Sequence, residues 1–141
     1  MRAATAIAIA GSLTAVTAGV TAAQAAPAGP RKTEVVKIAT RHPFGRVLTT
    51  AKGEHTLYLA PMGGCTGQCL SIWPALLMPK GRHHPSGTPC LGTAKFGKRL
   101  QVTYRGKRLY LFSGDTGHSA SGNGIGGFKV AKLVVKSCPK K

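Results

Sequence analysis

Negative charge is what this chain has least of. Its 141 residues include only three acidic side chains, Glu34, Glu54 and Asp115, against 20 lysines and arginines, giving a formal net charge of +17. General acid–base catalysis draws on titrating groups placed within reach of one another, and with three carboxylates most such pairs cannot be assembled. An enzyme is the least expected class. No window carries a sustained helical period, which excludes a helical bundle and leaves a mainly β domain with at most one short helical turn near Trp73, the only tryptophan. The cations are spread from Arg31 to Lys141 rather than clustered, so they read as a whole-surface field and not as a nucleic-acid stripe, and no specific nucleic-acid partner is expected.

The opening residues supply an address. Met1-Arg2 is a minimal positive start, followed by a small-residue apolar run that ends at Ala23-Gln24-Ala25, a small-x-small cleavage pattern. Residues 1–25 therefore read as a secretory leader, with no transmembrane segment after cleavage and no cysteine at the cleavage point to carry a lipid. The expected organisation is a leader at 1–25, a spacer and first strand at 26–43, a secreted hairpin domain at 44–138 and a basic tail at 139–141. One mature domain of this length has room for a single modest core. Outside a cell its cations would meet anionic cell-wall polymers or an anionic membrane surface; no cofactor is implied, and the oligomeric state is left open.

Four cysteines, Cys65, Cys69, Cys90 and Cys138, in an exported chain point to two disulfides, with three connectivities open. A bridge closing tens of residues stabilises by roughly 3 to 4 kcal/mol in the chain-entropy picture.

The remaining elements follow in order. Lys32–Ile38, rich in β-branched residues, reads as an opening strand, and Arg41–Gly45 as a turn. Arg46–Thr50 and His55–Leu59 read as a hairpin about the turn Ala51–Glu54. Gln68–Trp73 has room for one helical turn, stopped by Pro74. Pro79–Pro89 reads as a mobile polar loop. Gln101–Tyr104 and Arg108–Phe112 form a second hairpin about Arg105-Gly106-Lys107, and Phe128–Val135 a last strand. Thr56-Leu57-Tyr58-Leu59 is echoed by Arg108-Leu109-Tyr110-Leu111, the mark of an internal repeat of hairpins.

These motifs in this order (Thr-Leu-Tyr58, Cys65-Thr-Gly-Gln-Cys69, Trp73-Pro74, Tyr110-x-Phe112-x-x-Asp115, Gly122-x-Gly124) resemble the secreted repeat, or lipoprotein, family with the Tyr-x-(Phe/Trp/Tyr)-x-x-Asp motif. The resemblance spans about Phe44 to Leu133 and implies an envelope or extracellular location and repeated β-hairpins, without an established activity. The first copy lacks the motif's second aromatic and its aspartate, so the resemblance leaves only Tyr110, Phe112 and Asp115 for a site built on it. Phe128 stands where the family tends to have tryptophan. Cys90 and Cys138 are additions to the family pattern, which implies that they pair together and leave Cys65 with Cys69.

Other motifs meet a plainer account. Asp115-Thr116-Gly117 is the aspartic-protease triplet, but Ser113-Gly114 precede it where such a strand is apolar, so a turn is expected. Gly122–Gly127 satisfies a dinucleotide fingerprint without the strand before it, the helix after it or a later acid for the ribose. Gly117–Ser121 misses the nucleophile elbow because its fifth residue is serine. Asp115, Gly117, Ser119, Ser121 and Asn123 alternate as in a calcium loop but offer one carboxylate and no bidentate glutamate. His83, His84, Met62 and Met78 would suit copper, and with the Cys65/Cys69 pair and Asp115 they form the alternative reading, a small-ligand, metal or redox module. Tyr110 and Phe112 share a strand face, where core packing with the Tyr110 hydroxyl on Asp115 is preferred to a stacking platform. That bond would clasp the hairpin to the glycine loop.

Overall fold

The structure is a computed structural model that describes residues 29–140 together with Gly11 and Gly19; apart from those two glycines the leader, and Lys141 of the tail, lie outside the described residues. Strands β1 (Lys32–Glu34), β2 (Val36–Arg41), β3 (Gly45–Thr50) and β4 (Tyr58–Leu59) precede a single-turn helix α1 (Cys69–Ile72). They are followed by β5 (His84–Ser86), β6 (Leu91–Phe96), β7 (Arg99–Tyr104), β8 (Lys107–Tyr110) and, after a 3-10 turn at Ile125–Gly127, β9 (Lys129–Val130). The protein is mainly β, in keeping with a sequence that carries no sustained helical period. β6-β7-β8-β4-β9 form a five-stranded antiparallel sheet, β2-β3 a hairpin, and β1-β5 a short parallel pair.

Several elements differ from their expected form, each for a visible reason. The opening strand breaks at Val35 because Val35 and Val36 are both buried, which a period-two strand does not allow. β2 then pairs with β3 over all six residues through the turn at 42–44, so the first hairpin lies one strand earlier than expected and its pairing runs across residues 43 and 44. The expected partner strand, His55–Leu59, touches β3 only through the Thr49–Thr56 bridge and neighbouring backbone bonds before β4 departs into the large sheet.

The loop Pro79–Pro89 contains β5, paired with β1, and Gly87 lies so close to Val36 that a Cβ there would fall 1.6 Å from its carbonyl oxygen. No residue but glycine fits. β6 was not expected, since Gly92 and Ala94 are weak strand formers. The last strand is regular only over Lys129–Val130 and continues through a bridge from Lys132 to Val47.

The two halves of the domain are wired alike. Leu48 N donates to Ala131 O as Val102 N donates to Leu76 O; Ala131 N donates to Leu57 O as Leu76 N donates to Leu109 O; Leu133 N donates to Arg46 O as Met78 N donates to Leu100 O. Tyr58 lies opposite Val130 as Tyr110 lies opposite Ala75. Each half thus comprises a hairpin (β2-β3 or β6-β7), a tyrosine strand (β4 or β8), a glycine-bearing loop, and an aromatic-led segment (from Trp73 or Phe128) that crosses to pair with the other half. About the centre, Tyr58 and Tyr110 face each other in register.

Two apolar clusters fill the interior. One gathers Val36, Leu48, Leu57, Met78, Val102 and Leu109; the other joins Val47, Tyr58, Trp73, Tyr110, Phe128 and Val130. Trp73 and Phe128, the leading aromatics of the two crossing segments, stack with centroids 3.8 Å apart and planes within 4°. Cys65 is bonded to Cys69 and Cys90 to Cys138, the latter bridge holding the C-terminal segment to the start of β6.

Candidate functional site

Asp115 lies on the loop that follows β8 and is buried, with no cation among the described residues on its carboxylate. Its Oδ2 accepts from the Tyr58 hydroxyl at 2.6 Å, and its Oδ1 accepts from the Ser121 amide at 2.9 Å, the Ser121 hydroxyl at 2.8 Å and the Ser119 hydroxyl at 3.1 Å. A buried charge is tolerable only when its lone pairs are so filled. The Tyr58 hydroxyl also accepts from Gly122 N at 3.2 Å, and buried Thr56 donates to Ser119 O at 2.7 Å. Burial first, and then the bond to Asp115, push the Tyr58 pKa well above the ordinary tyrosine value.

The expected clasp between strand and glycine loop is present, but its tyrosine is Tyr58 and not Tyr110. The reason is the antiparallel register: because Tyr58 faces Tyr110 across β4 and β8, each hydroxyl reaches the loop that follows the other strand. The Tyr110 hydroxyl accepts from Cys65 N at 3.3 Å, the counterpart of the bond from Gly122 N to Tyr58. Phe112 packs 4.7 Å from Trp73 and lies so close over Gly122 that a Cβ there would stand 2.8 Å from its ring. Tyr110 meets Phe128 edge-on at 5.5 Å, so both motif rings belong to the aromatic cluster.

The other candidate ligands are dispersed or occupied. Ser119 and Ser121, which would alternate around a calcium ion, turn their hydroxyls to Asp115. Met78 is enclosed in the first apolar cluster, Met62 stands fully exposed beside a cleft, and His84 lies in β5. The four sulfurs are joined in disulfides. Among the described residues no three of His, Cys, Asp and Glu converge in a metal-binding arrangement. His118 is exposed, one residue before the Asp115-bound Ser119.

Two adjoining clefts lie against strands of the five-stranded sheet. The larger, about 900 Å³, is walled by Lys95 of β6, Lys107 and Arg108 of β8 and Lys129 of β9, with Gly63, Gly64 and Tyr110 among its lining. The second, about 690 Å³, shares Leu59, Lys107 and Lys129 with it and adds Arg105 and Lys132. Among the described residues no carboxylate lines either one. Arg108 bonds only neutral acceptors, Gln101 Oε1 at 2.8 Å and Lys95 O at 2.9 Å, and Arg105 caps Lys136 O and Ser137 O at 3.0 and 2.9 Å. The positive field is therefore left uncompensated where the walls focus it. Sequence spacing gave no sign of these clefts, since their cations come from β6, the β7–β8 turn, β8, β9 and the segment after it, and converge only through strand order. The doubled Leu-Tyr-Leu was the one signal that could have placed Tyr58 beside Tyr110.

No family model matches the chain, and neither a curated protein nor a solved structure matches it.

Proposed function

We propose that this is a secreted, disulfide-stabilised, non-enzymatic protein that binds anionic polymers of the cell surface. The observation that carries the reading is the pair of adjoining clefts walled, among the described residues, by six cations and no carboxylate. A linear polyanion laid along them would meet several cations at once, each weak alone and additive together. Such contacts are screened within about 10 Å at 0.1 M salt, so the interaction is steeply salt-dependent. The saturated state of Asp115 supports a structural and not a chemical role for the most motif-like residue.

Retention of the mature protein on immobilised polyglutamate and on polyphosphate, against a neutral dextran, tests this. Retention on both anionic matrices that falls steeply with salt, and none on dextran, is expected. Equal retention on dextran, or retention that salt leaves unchanged, would overturn the reading.

A further inference from the structure

The two halves of the domain treat their central tyrosines alike in every bond but one. In one half the Tyr58 hydroxyl accepts from a loop amide, Gly122 N, and donates to the Asp115 carboxylate. In the other the Tyr110 hydroxyl accepts from a loop amide, Cys65 N, and its O–H has no acceptor among the described residues. The position that corresponds to Asp115, five residues beyond the strand tyrosine, is Gly63. A Cβ on Gly63 would meet nothing within 4 Å, so the place where a carboxylate would hang is open space. Tyr110 itself is only 1% exposed, and it lies at the floor of the larger cleft with Gly63 and Gly64. A buried hydroxyl with an unused donor is costly unless something accepts from it.

We propose that this cleft is an oxyanion subsite: a carboxylate or phosphate group of an anionic ligand enters between Gly63 and the cationic rim and takes the place that Asp115 fills in the other half. The Tyr110 O–H donates to it, and Lys95, Lys107 and Lys129 surround it from three strands. The fold thus completes one of its two tyrosine sites from within and leaves the other to be completed by the ligand. The positive left-handed backbone of Gly63 and Gly64, φ of 95° and 70°, keeps side chains out of the entrance. This rests on the polyanion reading and locates it.

The test is an amide-resolved NMR titration of the oxidised protein with inorganic phosphate and, separately, with acetate, each against sodium chloride at matched ionic strength. The Cys65 amide, which donates to the Tyr110 oxygen, is the reporter. A saturable Cys65 shift with phosphate or acetate but not chloride is expected, and which of the two binds more tightly names the source of the oxyanion. Tyr110→Phe, which keeps the ring, should abolish the saturable shift; Lys107→Gln should raise the dissociation constant several-fold while leaving the spectrum folded. No saturable shift with either ion, or the same shift in Tyr110→Phe, overturns the subsite. Polymer retention of the same Tyr110→Phe protein separates the two readings: retention that survives while the shift was never seen leaves the general polyanion reading standing and removes only the subsite.

Discussion

The loop after β4 and the loop after β8 occupy corresponding places around facing tyrosines, yet they are held by different chemistry. The first, Ala60 to Ile72, is stapled by the Cys65–Cys69 bond and one helical turn, and a tyrosine hydroxyl touches it through a single amide. The second, Leu111 to Gly127, has no covalent tie and is gathered by one carboxylate with four donors. A covalent staple fixes a loop without filling its interior, so the first loop leaves an opening beside Tyr110. A buried carboxylate fixes a loop by filling it. The same scaffold therefore yields a closed half and an open one.

This contrast can be broken from either side. Asp115→Ala should have the largest effect, a loss of about 3 kcal/mol, because the buried Tyr58 hydroxyl loses its acceptor and the loop bonds from Ser119 and Ser121 go with it; urea unfolding of the oxidised protein measures it. Replacing Cys65 and Cys69 together by serine should cost less, about 2 kcal/mol, since the bridge closes a span of only four residues. Tyr58→Phe should cost about 1.5 kcal/mol and should also remove a late-titrating tyrosine from an alkaline absorbance titration. In the native protein Tyr58 stays protonated when the tyrosine of the unfolded chain has begun to ionise, so this contribution to stability is present below the ordinary tyrosine pKa and is lost as pH rises above it. Tyr110→Phe should be mildest, about 1 kcal/mol or less, because only the acceptor for Cys65 N is lost. Equal losses for the two tyrosine variants would mean that the halves do not differ as described.

Much of the fold was legible in the residues. Val47-Leu48-Thr49 and Val102-Thr103-Tyr104 carry the β-branched and aromatic signal of strands, and Gly106 marks the turn between β7 and β8. Pro74 and the helical turn before it were equally plain. What was not legible depended on partners far away in the chain. Nothing local tells β4 to leave β3 for β8 and β9, and nothing in His83-His84-Pro85-Ser86 announces a strand whose partner is Lys32–Glu34. Spacing along the chain favoured Tyr110 as the partner of Asp115, five residues away; the antiparallel register gave it Tyr58, 57 residues away. The clefts were hidden for the same reason: scattered glycines and cations become a wall only when strand order is known.

The crossing of the segments led by Trp73 and Phe128 has a consequence for how far either half can stand alone. A polypeptide comprising one half alone would possess a tyrosine strand with no neighbour of the Trp73 or Phe128 kind, and would expose that edge to solvent. The crossing makes each half the cover of the other half's edge, so a chain cut between them would uncover both edges at once.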